Sequence, residues 1–174
     1  MIEGAPHLLI FAGPNGAGKT TYALRCLATL PRHHEFLNAD HFAKELRAQG
    51  APDGRVDLLA AQMLVRRTDE AVIQRIDFAL ETTLSGQSYL QSIPQWRQAG
   101  YFVEMHYLRL ANVEASIESV KTRVATGGHD IPETTLRRRF PLSLRNLAIA
   151  KTLVDLWYVF ERGHDHPSEA GRNA

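Results

Sequence analysis

Short apolar, β-branched or aromatic runs alternate along this chain with stretches whose apolar residues recur every three to four positions. Leu8–Ala12, Glu35–Asn38, Asp77–Leu80, Tyr101–Leu110 and the run Trp157–Phe160 read as strands. Between them Lys19–Leu30, Asp40–Arg47, Arg55–Arg75, Ser88–Gln98, Val113–Thr126 and Pro132–Leu153 read as helices. Strands separated by helices cannot pair through tight turns, and apolar strand runs need cover on both faces. The pattern therefore predicts an α/β fold: a three-layer parallel sheet of about five strands with helices on both faces. Groups that act chemically are expected at the carboxyl ends of those strands. A single domain is expected over 1–162, and 163–174, rich in Gly, His and polar residues, reads as a flexible tail.

Directly after the first strand comes Gly13-Pro14-Asn15-Gly16-Ala17-Gly18-Lys19-Thr20, which satisfies G-x-x-x-x-G-K-[ST] at every fixed position and runs straight into a helix. Glycines let a backbone wrap round a phosphate with its N–H groups inward, and the helix N-terminus adds positive partial charge. The expected nucleotide site is Gly13, Pro14, Asn15, Gly16, Ala17, Gly18, Lys19, Thr20 and Thr21. Lys19 is placed to reach the β- and γ-phosphates and Thr20 to ligate Mg²⁺, so ATP and Mg²⁺ are the expected cofactors. This is the P-loop of the NTPase and kinase folds, and by itself it separates neither kinase from GTPase nor either from a mechanical ATPase.

Candidates for the remaining chemistry stand at other strand ends. Asp40 closes Phe36-Leu37-Asn38-Ala39-Asp40, where a carboxylate can take a hydroxyl proton, complete a Mg²⁺ shell, or simply cap the following helix. Glu81 closes Phe78-Ala79-Leu80-Glu81, where it either orders Mg²⁺ or grips a substrate hydroxyl, or is merely a solvated strand end. Thr82 and Thr83 open a hydroxyl-rich loop reaching Gly86, suited to binding a polar acceptor. Arg123 and the run Arg137-Arg138-Arg139 flank Gly127-Gly128-His129-Asp130-Ile131-Pro132, a turn that reads as the hinge of a helical lid over about 120–142. With Leu136, Phe140 and Leu144 inward, Arg137 and Arg139 flank the buried stripe and are the two expected at the phosphates, unless the run is only a solvated basic face.

Composition narrows the partners. The chain has 174 residues, 44% of them hydrophobic, enough for a buried core. Twenty basic side chains against 19 acidic leave a net charge of +1, so no general field would gather nucleic acid or a membrane surface. The longest early apolar run is too short to span a bilayer, and a lone Cys26 fits a reducing, cytoplasmic setting. His33, His34, His164 and His166 fall in loops or the tail, so no zinc site is expected.

Taken in order, the P-loop, Phe36–Asp40, Glu81-Thr82-Thr83-Leu84-Ser85-Gly86, Arg123-Val124, Gly127-Gly128-His129 and Arg137-Arg138-Arg139-Phe140 resemble the zeta-toxin family over roughly 7–160. The resemblance implies an ATP-dependent kinase that transfers the γ-phosphate to the sugar 3′-hydroxyl of UDP-N-acetylglucosamine, and an antitoxin that blocks the nucleotide site. It makes Asp40 the counterpart of a catalytic base and Glu81 that of a substrate-contacting acid. Lys19, Arg123 and an arginine of 137–139 become the phosphate-binding groups. Two positions depart from the pattern: Ser119 stands where a repeated Arg-Val motif would begin with arginine, and Phe160-Glu161-Arg162-Gly163 lacks the Asn-Ser expected after the last strand. Two other readings accompany it: a P-loop kinase of a different small hydroxylated molecule such as an antibiotic, and a non-catalytic ATP-binding regulatory module.

Overall fold

A computed structural model of the chain describes residues 4–173. In chain order its elements are β1 (His7–Ala12), α1 (Lys19–Thr29), β2 (Glu35–Leu37), α2 (Ala39–Ala48), α3 (Asp53–Gln74) and β3 (Phe78–Thr82). They are followed by α4 (Ser88–Gln98), β4 (Phe102–Arg109), α5 (Val113–Ala125), α6 (Glu133–Leu153), β5 (Leu156–Glu161) and β6 (Glu169–Arg172). The strands form one sheet in the order β2-β3-β1-β4-β5-β6, parallel except for β6. Every residue of β1 is buried, which is why its sequence shows no polar alternation.

The period of two along β1 sorts the core into two layers. Leu8, Ile10 and Ala12 pack with Val56, Ala60 and Ala71 of α3, Leu90, Ile93 and Trp96 of α4, and Leu147 and Ala150 of α6. Leu9 and Phe11 face the other way, onto Ala23, Tyr22, Cys26 and Leu27 of α1. Cys26 is thus a small, partly buried packing group of α1.

The sheet face under α1 also carries a chain of polar groups. His7 is on β1, and the register sets Leu9 beside Glu104 and Phe11 beside His106, so all three side chains emerge on that face. Glu104 accepts a hydrogen bond from His106 Nε2 at 2.6 Å, and its other oxygen lies 3.4 Å from His7 Nε2. His106 Nδ1 lies 2.9 Å from the Tyr22 hydroxyl, and His7 Nδ1 is 3.1 Å from His34 Nε2. Burial alone would raise the Glu104 pKa, but the hydrogen bonds and charge of His106 and His7 win and bring it down to about 2. Burial lowers the His34 pKa below its ordinary value.

The signs give a pH profile. A carboxyl with a depressed native pKa stabilises the fold above its unfolded value of 4.5, and that contribution disappears as pH falls to about 2. A histidine held neutral loses stability as pH falls below 6.5. Glu104→Gln is therefore expected to lower the melting temperature near pH 7, with the gap to the parent closing between pH 4.5 and 2. Calorimetric scans at several pH values measure it, and a gap constant down to pH 2 would contradict the assignment.

The C-terminal segment corrects the expectation of a loose tail. Glu169–Arg172 pairs antiparallel with β5 and closes that edge of the sheet. Glu169 is held by Lys151 Nζ at 2.6 Å and Arg109 Nη2 at 2.8 Å, and Asn173 Nδ2 donates to the carbonyls of Lys151 and Val154, both at 2.6 Å. Gly171 lies against the Trp157 indole, where a Cβ would meet ring carbon at 2.4 Å. These are polar and small-residue contacts, so the segment has no apolar alternation by which a strand is read.

Candidate active site

The carboxyl ends of β1, β2 and β3 and the turn between α5 and α6 surround one cleft of 1110 Å³. The P-loop forms its floor. At Gly13 the backbone has φ +141°, and a Cβ there would stand 2.3 Å from the Leu108 carbonyl oxygen, so only glycine lets the loop cross β4. Gly18 precedes α1 without a side-chain cap, leaving the first N–H groups of the helix for an anion. Asn15, Gly16, Gly18, Lys19, Thr20 and Thr21 line the cleft. Gly13, Pro14 and Ala17 are buried beneath it and shape the loop instead.

Lys19 donates from Nζ to the Pro14 carbonyl at 3.0 Å and lies 3.8 Å from Glu81 Oε1. Burial lowers its pKa, partly offset by the charges of Glu81 and Asp40, while Arg123 adds to the depression. Glu81 Oε2 accepts two further hydrogen bonds, from Thr20 Oγ1 and from Asn38 Nδ2, each at 2.7 Å. The carboxylate at the end of β3 is thus fastened to the P-loop threonine and lysine.

Asn38 was not singled out by the sequence reading and does two things here. Its Oδ1 accepts from the backbone N–H of Asp40 at 2.7 Å and of His41 at 3.4 Å, capping α2, while its amide N–H donates to Glu81. Asp40 is therefore not the cap. Its carboxylate, in the first turn of α2, is exposed at the cleft wall. The signal was present in the sequence, since Asn just ahead of a helical run is a favoured cap, but Asp40 offered the same chemistry two residues later.

Thr82 and Thr83 line the cleft at the start of a loop held from beneath. Thr82 Oγ1 accepts from the Leu84 N–H at 3.0 Å, and Thr83 Oγ1 is 2.9 Å from Ser85 Oγ. Leu84 is buried with φ +54°, a strained conformation for a branched side chain. Two residues of α6 strap this loop down: Ser143 Oγ donates to the Thr83 carbonyl at 2.7 Å, and Asn146 Nδ2 to the Leu84 carbonyl at 2.9 Å and that of Gly86 at 3.3 Å. Ser143 and Asn146 interrupt an apolar stripe, which is the signal that could have found them. Tyr89 lines the cleft wall nearby, and burial, then the charge of Glu81, raises its pKa.

The arginines expected at a lid divide. Arg123 donates from Nη2 to the His129 carbonyl at 2.7 Å, across the glycine turn, and both residues line the cleft. Arg139 lines it as well. Arg137 does not: it meets Glu114 at 3.1 Å and Glu133 at 2.8 Å on the outer surface. The expectation for Arg137 is thereby corrected, and the reason is angular. Two helical positions apart is about 200° of rotation, so with Leu136, Phe140 and Leu147 buried, one flank faces the cleft and the other meets the acidic start of α5.

The zeta toxin family model matches residues 2–166. The chain belongs to the zeta toxin family. It is also 30% identical over 132 residues to an uncharacterized protein of Haemophilus influenzae, spanning 76% of this chain and 91% of that relative. The zeta toxin fold carries over to solved structures at lower identity. The PezAT chromosomal toxin–antitoxin system of Streptococcus pneumoniae aligns with a TM-score of 0.67 at 17% identity, over 92% of this chain and 69% of that one. A chain of the Pnkp1/Rnl/Hen1 RNA repair complex aligns at 0.66 and 19% identity, over 83% of this chain and 46% of that one, so this chain spans less than half its length. Shikimate kinase from Acinetobacter baumannii, solved with shikimate, aligns at 0.55 and 20% identity over 93% and 86%. At such identities the likeness is one of fold. Zeta toxin family and P-loop kinase fold together support an ATP-dependent phosphotransferase of the kinase type. Among the described residues of this family member, no helix is long and apolar enough to cross a membrane.

Proposed function

We propose that this protein transfers the γ-phosphate of ATP to a hydroxyl of a small molecule, with UDP-N-acetylglucosamine the first acceptor to test. The observation that carries the reading is the Asp40 carboxylate, relieved of capping by Asn38 and open to the same cleft as Lys19 and Glu81. The working unit is the one sheet domain, β6 included, with a lid over about 120–142, acting in the cytoplasm with an antitoxin as partner.

The residues fit Mg²⁺ in a particular way. Thr20 and Glu81 offer two hard oxygen ligand groups 2.7 Å apart, too few for an all-protein cage and suited to an ion that keeps waters and takes substrate phosphates. Among the described residues there is no group of three or more His, Cys, Asp or Glu side chains arranged for a metal. When bound, Mg²⁺ supplies charge neutralisation across the β- and γ-phosphate oxygens.

The protein's own part is positioning and proton transfer. The P-loop N–H groups and Lys19 hold the triphosphate, while Thr82 and Thr83 orient the acceptor against Asp40. Asp40 takes the proton as the acceptor oxygen bonds to the γ-phosphorus and the bond to the ADP oxygen breaks. Arg139 and Arg123 flank the γ-phosphate, where arginine charge is worth about 10³ to 10⁵ in rate in well-studied cases.

The test is incubation with Mg·ATP and a panel of hydroxylated acceptors led by UDP-N-acetylglucosamine, read by mass spectrometry. A phosphate-sized gain on the UDP-sugar is the expected result. A gain on a different acceptor would keep the kinase and change its substrate. ATP binding with no gain on any acceptor would overturn the enzymatic reading.

A further inference from the structure

Of the cationic side chains lining the cleft, Lys44, Arg47 and Arg162 belong to none of the roles above, and Arg162 is the one bonded beside the P-loop. α5 is pressed against the P-loop: Ser116 Oγ donates to the Asn15 carbonyl at 2.7 Å, and a Cβ on Gly16 would lie 2.6 Å from the Cβ of Ser119. The helix position closest to the loop at Gly16 thus carries a small neutral residue. Ser119 Oγ donates to the Ala115 carbonyl at 2.7 Å and accepts a hydrogen bond from Arg162 Nη1. Arg162 stands just past the carboxyl end of β5, the strand end at which acting groups of such sheets emerge.

Its charge is uncommitted. Glu161, its neighbour, is engaged by Arg109 at 3.2 Å, and among the described residues Arg162 pairs with no carboxylate. Arg137, by contrast, has two. Arg162 lines the main cleft and also an adjoining recess of 530 Å³ along α5, with Glu118 on the recess wall. A guanidinium offers five N–H groups in a planar fork, so one spent on Ser119 leaves the rest for a phosphate.

We propose that Arg162 is a phosphate-binding residue of the nucleotide site, brought from the end of β5 to the P-loop and oriented there by Ser119. The inference rests on the nucleotide reading of the cleft and assigns it a residue. It also gives a reason for serine at 119: a second arginine there would meet the guanidinium of Arg162 over the same stretch of loop.

Titration calorimetry with Mg·ATP and with inorganic triphosphate tests it, alongside the melting temperature of each unliganded variant. Arg162→Ala is expected to weaken both ligands by about 10- to 100-fold, the range of a lost charge-assisted contact, and Arg162→Lys to recover part of the loss. The exchange Ser119→Arg with Arg162→Ser is expected to bind ATP within a few-fold of the parent, which a purely structural role for Arg162 would not restore. Should Arg162→Ala melt too low to measure, Arg162→Lys and the exchange decide. Unchanged ATP affinity in Arg162→Ala, or an exchange variant as weak as Arg162→Ser alone, overturns the proposal. Loss for ATP without loss for triphosphate also overturns it, because the arginine would then be reading the nucleoside. A parent protein that binds neither ligand would refute the nucleotide reading, a separate failure.

Discussion

Asp40→Asn is expected to reduce phosphoryl transfer by about 10²- to 10⁴-fold while leaving ATP affinity close to that of the parent, since a general base contributes in that range and does not hold the nucleotide. The fold should tolerate the change. The α2 cap is made by Asn38, which binds the backbone N–H of residue 40 rather than its carboxylate, and the Asp40 side chain is exposed. Single-turnover transfer and calorimetric ATP binding, measured on the same preparation, separate the two quantities. Near-normal transfer in the variant would remove Asp40 from the chemistry. A matching loss of ATP affinity would reassign it to the nucleotide.

Glu81→Gln probes the other carboxylate, and its result distinguishes the two roles that the sequence left open. Both partners at Oε2, Thr20 and Asn38, are donors, and an amide keeps the shape but loses the charge and half of the acceptor capacity. The buried Lys19 then loses its nearest carboxylate, and its pKa falls further. If Glu81 orders the metal shell, the variant loses about 10- to 100-fold in apparent Mg²⁺ affinity during ATP binding, and part of the lost turnover returns at high Mg²⁺. If it grips the acceptor, Mg²⁺ dependence is unchanged and the acceptor KM rises instead. The hydrogen bond to Thr20 and the nearness of Lys19, both P-loop residues, favour the metal outcome.

The parallel sheet, the P-loop and the strand-end acids were legible because each rests on local pattern: apolar runs as long as a strand, glycines at fixed spacing, a carboxylate directly after an apolar segment. What escaped was set by partners distant in sequence. Asn38 matters through Glu81, 43 positions away, and the strap from Ser143 and Asn146 through Thr83 and Leu84, 60 and 62 away. β6 escaped for the same reason, since its contacts are with Arg109, Lys151 and Trp157 rather than with an apolar face of its own. Arg137 was misplaced because periodicity reports which positions flank a buried stripe but not what each flank meets; that depended on where α5 begins and on Glu114.

One rod of backbone, α6, carries Arg139 at the cleft and, four and seven residues further along, the two side chains that strap the acceptor loop. The cleft arginine and the loop are therefore not separate parts. On the proposed function, a tilt of this helix that swung Arg139 away from the phosphates would also pull on the carbonyls of Thr83 and Leu84, so admission of the acceptor and closure over ATP would be geared to each other. Mutational adaptation to a new acceptor within that loop would then register in how the protein handles its nucleotide, and the two specificities would evolve as one.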